Sequence, residues 1–176
     1  SAEALRVLHA TDKVVGVSVE TLENSIYLPE FSQMPNVGKW NEPDIEKILT
    51  LEPDLVISYR SATPKYLEPK LNGTGIPAVA LDLYRADDLR AEMKMLGYIV
   101  GRTAEADRYL QWFSRVTDAV NEKISAIPED KKTRVYLEGA SDLKTYTKGK
   151  GGDLACTMAG GVNIASDLAG SYPDVE

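Results

Sequence analysis

Residues 86–127 carry the longest helical pattern in the chain, and that pattern limits the folds open to it. Leu89, Met93, Leu96 and Val100 recur at spacings of four, three and four. Beyond Gly101-Arg102-Thr103 a second stripe follows: Tyr109, Phe113, Val116, Val120, Ile124 and Ile127. Both stripes fit the 3.6-residue period of an amphipathic helix. Thr103 is placed to cap the second helix, and Glu105 falls in its first turn, where a carboxylate suits the helix dipole. The pattern predicts two helices meeting at a kink near Gly101, or one long bent helix. Such a stretch is too long for a routine crossover and suits a bridge between two lobes. Trp112 falls among the stripe residues and is predicted to pack rather than to bind.

Short apolar runs flank this segment. They are Val14-Val15-Gly16-Val17-Ser18, Leu55-Val56-Ile57-Ser58-Tyr59 entered through Glu52-Pro53-Asp54, and Ala78-Val79-Ala80-Leu81 after Gly75-Ile76-Pro77. A fourth, Arg134-Val135-Tyr136-Leu137-Glu138, follows a polar linker at 128–132. Continuous runs of this length between turn residues suit buried parallel strands. Helical patterns appear at 3–10, 43–50, 64–71 and 153–159. In the second of these Ile45, Ile48 and Leu49 share a face, and Pro43 fits the first turn. Strand, helix and strand in short alternation predict an α/β fold with a parallel sheet. With 176 residues, 43% of them hydrophobic and 27% charged, the chain has room for one core or one and a half lobes, not two full domains.

Composition also removes whole classes of function. A net charge of −7 without a basic block argues against nucleic acid as a partner. No apolar run approaches the ~18 residues of a membrane span. The single Cys156 permits no internal disulfide, and with the single His9 it rules out a zinc site of Cys and His ligands. A Ser-His-Asp or Cys-His unit would have to use His9, inside a predicted helix. Gly149-Lys150-Gly151-Gly152 lacks the spacing of a phosphate loop, and no G-x-G-x-x-G occurs. Asp82 with Asp87, or Asp153 with Asp167, makes no recognisable acid/base pair. A nucleotide-dependent enzyme on a Rossmann-like sheet is therefore a weak reading. No catalytic residue, no resident cofactor and no metal site are expected. An interaction module that binds no small molecule stays open beside a binding protein.

Asp12-Lys13-Val14-Val15-Gly16-Val17-Ser18, then Pro35-Asn36-Val37-Gly38, then the run from Asp44-Ile45-Glu46-Lys47 to Leu55-Val56-Ile57 follow one another in a particular order. So do Tyr146-Thr147-Lys148-Gly149, Ala159-Gly160-Gly161-Val162-Asn163 and Tyr172-Pro173. In that order and spacing the chain resembles the class III periplasmic binding proteins, the solute receptors of ABC importers for ferric siderophores, haem and cobalamin. The resemblance implies a Rossmann-like first lobe over 1–84 without its first strand, a bridging helix over 85–127 and an incomplete second α/β lobe over 128–176. It implies capture of an iron complex (siderophore or haem) or a corrinoid outside the cytoplasm, in the periplasm or anchored at the cell surface. The complex would pass to the ABC permease subunits without a chemical step. No signal segment is recognisable in the chain. A piece of this kind is expected either to pair with a second copy, through the 86–127 helix or the second lobe, or to lose order beyond about residue 140.

In open α/β sheets ligands sit beyond the carboxyl ends of the strands. That rule points to residues 18–20, 59–61, 83–85 and 139–142. Tyr59 and Arg60 follow the strongest strand, and Tyr84 and Arg85 follow the next. The alternatives are a Tyr59 that caps the core, an Arg60 in solvent, and an entry into the long helix. The resemblance adds Trp40 from the first lobe, and Tyr146 and Lys148 from the second. Their alternatives are packing on the lobe for Trp40 and a surface hairpin for the other two. The resemblance also makes Glu46 a permease-docking residue, and the helical pattern places it off the face of Ile45, Ile48 and Leu49.

Overall fold

The computed structural model describes residues 1–139 and 141–175, so Ala140, inside the 139–142 loop, and Glu176 lie outside the described residues. The chain forms two compact units. One comprises Ser1–Leu83 and Ala91–Asp107, the other Tyr84–Arg90 and Arg108–Glu176.

The first unit opens with α1 (Ala2–Val7), which stops earlier than the 3–10 pattern predicts. His9 ends it by adopting a left-handed φ of 51°, and its carbonyl accepts a hydrogen bond from Arg102 Nε at 3.2 Å. The predicted strand at 14–18 is reduced to one parallel bridge, Val17 to Asn36, before α2 (Val19–Glu23). β1 (Gly38–Lys39) and β2 (Glu42–Pro43) form an antiparallel hairpin with Trp40-Asn41 at its tip. The next helix, α3 (Ile45–Thr50), starts two residues later than predicted. Pro43 is already paired in β2, and Asp44 takes the N-cap by accepting the Lys47 N–H at 3.0 Å. Only Ile48 of its three apolar residues is fully buried, and Leu49 is exposed. β3 (Val56–Ser58) pairs in parallel with β4 (Ala78–Ala80), joined through a π-turn at Thr63–Leu67 and α4 (Glu68–Leu71).

The core of this unit is divided. Val17, Leu28 and Phe31 form one buried cluster, and Ile48, Leu67 and Leu71 another.

The long helical segment breaks where its sequence predicts. α5 (Leu89–Ile99) and α6 (Thr103–Ser125) meet at Gly101, whose φ of 68° lies in the left-handed region that glycine tolerates. A Cβ on Gly97 would stand 2.7 Å from that of Ala106, so a side chain there would force the two helices apart. Residues 91–107 of this segment belong to the first unit and 108–125 to the second. No helix among the described residues is long and apolar enough to cross a membrane.

In the second unit, β5 (Arg134–Val135) and β6 (Val162–Asn163) are parallel, with α7 (Gly151–Met158) between them in sequence. β5 keeps only two of the five residues predicted for that strand. Trp112 packs on one side only: its ring meets that of Tyr109 at 5.6 Å, while half its surface is exposed. It stands one residue before Phe113, which lies under the Arg90 guanidinium at 4.9 Å. One residue along a helix is a turn of about 100°, so the two rings face different ways.

Candidate ligand-binding site

Two parallel strands of the first unit end together, β3 at Ser58 and β4 at Ala80. The segments that follow them carry Tyr59 and Arg60, and Leu81, Asp82 and Leu83. The β1–β2 hairpin brings Trp40 to Tyr59, with ring centroids 6.0 Å apart and planes at 80°. Such an edge-to-face pair is a favoured aromatic geometry. Trp40 remains 45% exposed and Tyr59 38%, so neither ring is spent on the core. Glu20 Oε1 accepts the Trp40 backbone N–H at 3.4 Å, and Glu20 Oε2 is buried without a hydrogen-bond partner among the described residues.

Arg60 is engaged within its own unit. Its Nη2 donates to Glu92 Oε1 at 2.7 Å, its Nε lies 3.8 Å from Asp82 Oδ2, and its backbone N–H donates to Asp82 Oδ1 at 3.0 Å. Glu92 is 4% exposed and also accepts the Leu83 N–H at 2.6 Å. That bond holds Leu83 at a φ of 55°, rare for a branched residue. Burial is the largest single influence on the Glu92 carboxyl and pushes its pKa up. Bonds from Leu83, Arg60 and the Asp82 backbone together outweigh it and leave the group below its ordinary range.

Tyr84 and Arg85 belong to the second unit. The Arg85 Nη2 donates to Asp87 Oδ2 at 2.8 Å, and its Nε lies 3.3 Å from Asp88 Oδ2. The bond to Asp87 raises the Arg85 pKa and lowers that of Asp87. Both candidate arginines thus have carboxylate partners within their own units.

Three tyrosines of the second unit gather at the start of α7. Tyr146 and Tyr172 meet edge to face at 5.7 Å. A Cβ on Gly151 would lie 3.5 Å from the Tyr84 ring, and one on Gly152 only 2.7 Å from Tyr146. Lys150 Nζ stands 6.0 Å over the Tyr172 ring, a weak cation–π distance. Lys148 is exposed, and its backbone N–H donates to the Ser166 carbonyl at 3.1 Å.

A buried polar network fixes this surface. Asn163 Nδ2 donates to the Tyr146 carbonyl at 2.7 Å and to Asp153 Oδ1 at 3.0 Å. The other Asp153 oxygen accepts the Gly149 N–H at 2.8 Å. Thr145 and Thr147 are buried on either side of Tyr146. Among the described residues no three His, Cys, Asp or Glu side chains converge to hold a metal ion.

The sequence profile of the periplasmic binding proteins matches residues 1–176. The chain belongs to that family. It is 28% identical over 155 residues to a vitamin B12-binding protein of Pectobacterium atrosepticum, covering 86% of this chain and 55% of that one. Its fold matches the molybdate-bound periplasmic binding protein MolA of Haemophilus influenzae at a TM-score of 0.85 and 22% identity, covering 100% of this chain and 62% of that one. It also matches the periplasmic haem-binding protein HutB of Vibrio cholerae at a TM-score of 0.79 and 21% identity, over 99% and 66% of the two chains. The chain spans about half the length of the curated relative. The family is a non-enzymatic one.

Among the sequence candidates, the structure pairs Trp40 with Tyr59 and sets Tyr84 and Tyr146 at neighbouring glycines of α7. It commits Arg60 and Arg85 to carboxylates and leaves Lys148 and Glu46 exposed. Glu20 falls in the 18–20 segment to which the strand-end rule points, and Tyr172 in the noted Tyr172-Pro173 pair; Glu92 carries no such signal in the sequence.

Proposed function

We propose that this chain is the solute-capturing part of an ABC importer, working outside the cytoplasmic membrane, and that its solute is a corrinoid. The exposed edge-to-face pair of Trp40 and Tyr59 beyond β3 carries the reading. Tyr84, Tyr146 and Tyr172 give the second unit an aromatic surface of its own. Aromatic faces suit a broad macrocycle at low conformational cost. Internal pairing of Arg60 and Arg85 favours a ligand whose edge is amide rather than carboxylate. The name of the Pectobacterium relative agrees with this choice. Capture needs no chemical step and no resident cofactor.

A second reading, an iron complex such as haem or a ferric siderophore, draws on Lys148 and Lys150, whose ammonium groups suit an anionic edge. Calorimetric titration of the protein with cyanocobalamin, haemin and a ferric catecholate chelate separates the two. Tightest binding of cyanocobalamin supports the first. Tightest binding of either iron complex replaces it with the second, and heat from none of the three rejects both.

Delivery requires the permease subunits, and Glu46 is the proposed contact. It lies exposed in the first turn of α3. An exposed charge steers association more than it stabilises a fold. Glu46→Lys should therefore abolish uptake in cells while leaving the melting midpoint and ligand affinity unchanged. Normal uptake by that variant would remove Glu46 from the role.

A further inference from the structure

The turn between α4 and β4 carries a side chain that the fold does not use. The helix ends at Leu71, which is buried. Asn72 donates its backbone N–H to the Glu68 carbonyl at 3.0 Å and then leaves the helix at a φ of −58° and a ψ of 128°. Gly73 follows at a φ of 81°, and the Thr74 N–H closes the turn on the Leu71 carbonyl at 3.1 Å. These angles make a type II turn, with glycine where the positive φ demands it. The Thr74 hydroxyl reinforces the turn, donating to the Leu71 carbonyl at 2.7 Å and accepting the Ile76 N–H at 3.2 Å. Turn chemistry thus accounts for Gly73 and Thr74. It gives no task to the Asn72 side chain, whose amide has no hydrogen-bond partner among the described residues.

That amide is also accessible. Asn72, Gly73 and Thr74 are all exposed. A Cβ built on Gly73 or on Gly75 would meet nothing within 4 Å, so the space over the turn is open. The turn lies away from the candidate ligand site. β3 and β4 run parallel, and Trp40 meets Tyr59 beyond the end of β3 at Ser58. Asn72 leads into the opposite end of the pair, where β4 starts at Ala78.

The chain has six asparagines, Asn24, Asn36, Asn41, Asn72, Asn121 and Asn163, and only Asn72 has a Ser or Thr two residues later. Asn72-Gly73-Thr74, with a residue other than proline in the middle, is the acceptor pattern for a saccharide on asparagine in proteins exported from the cytoplasm. We propose that Asn72 is an N-glycosylation site whose donor is a saccharide linked to a lipid phosphate or pyrophosphate. The proposal rests on the reading of this chain as working outside the cytoplasmic membrane. In the transfer a bond forms between Asn72 Nδ2 and the first carbon of the sugar. The bond from that carbon to the donor's phosphate oxygen breaks, the lipid phosphate leaves with the electron pair, and Nδ2 gives up one proton. No oxidation or reduction takes place. The saccharide stands over the α4–β4 turn and leaves the Trp40–Tyr59 surface open.

Mass spectrometry of the protein purified from fractionated cells of its native host tests this. Trypsin cuts after Lys70 and Arg85, and the peptide Leu71–Arg85 contains Asn72 as its only asparagine. That peptide should carry a sugar mass, placed on Asn72 by fragmentation. Asn72→Gln and Thr74→Ala should each abolish it. Thr74→Ser, which keeps the hydroxyl, should retain it. Cyanocobalamin affinity of Asn72→Gln should stay within about twofold of the unsubstituted protein. An unmodified peptide from protein found outside the cytoplasm overturns the inference and leaves the proposed function standing. Asn72 converted to aspartate or isoaspartate without sugar overturns it too, as does sugar retained by Thr74→Ala. Protein found in the cytoplasmic fraction rejects the location, and this inference with it.

Discussion

Replacing Glu92 by Gln keeps the shape of a buried side chain and removes its charge. In the native protein one carboxylate oxygen accepts from Arg60 Nη2 at 2.7 Å and the other from Leu83 N–H at 2.6 Å. An amide has one acceptor oxygen, so its NH₂ must face one of those two donors. Facing Leu83 it leaves a buried N–H unsatisfied, which costs about 1–3 kcal/mol. The Arg60 side chain is 54% exposed, so losing that ion pair adds no more than about 1 kcal/mol after solvent screening. The total is about 1–4 kcal/mol, or about 2–16 °C in the melting midpoint for a chain of this size. Because the folded Glu92 pKa is depressed, its stabilisation is complete above the unfolded carboxylate value of about 4.3 and is lost as pH falls through the folded value. Thermal melts of both proteins between pH 7 and pH 3 read this directly. The gap should be full at pH 7 and shrink below about pH 4. A gap under about 1 °C at pH 7, or one that widens in acid, would refute the assigned role.

Two more substitutions probe the second unit. Asn163→Ala strips donors from the Tyr146 carbonyl and from buried Asp153, so urea unfolding should show a loss of about 2–4 kcal/mol; a change below about 1 kcal/mol would contradict the network. Gly152→Ala places a Cβ 2.7 Å from the Tyr146 ring while improving helix propensity by about 1 kcal/mol. Stability should barely change, and cyanocobalamin affinity should fall at least about fivefold, roughly 1 kcal/mol. Unchanged affinity would take the Tyr146 ring off the ligand surface.

The parts of the fold legible in the sequence are those set by local rules. The Gly101 break needed only a 3.6-residue stripe on each side of a glycine, and β3 needed only an apolar run behind Glu52-Pro53-Asp54. The 14–18 strand was overread, because a β-branched run states a preference for pairing and not the presence of a neighbour. Trp112 keeps the expected packing only towards Tyr109, because its own angle, one residue off Phe113, turns the rest of the ring outwards. Strand ends point to Tyr59 and Tyr84 as candidates, but the partners of Arg60 lie 22 and 32 residues away at Asp82 and Glu92. No spacing rule announces such pairs. Tyr172 reaches Tyr146 through a bridge between Lys144 and Asp174, a contact that depends on tertiary pairing.

The most direct test of ligand capture uses Trp40 itself. The chain has two tryptophans, so Trp112→Phe leaves Trp40 as the sole indole. Titrating that variant with cyanocobalamin should quench Trp40 emission saturably, with a 1:1 endpoint, beyond the quenching of free N-acetyltryptophanamide at the same absorbance. Quenching no greater than that of the free indole, with no saturation, would contradict a corrinoid seated on the Trp40–Tyr59 pair.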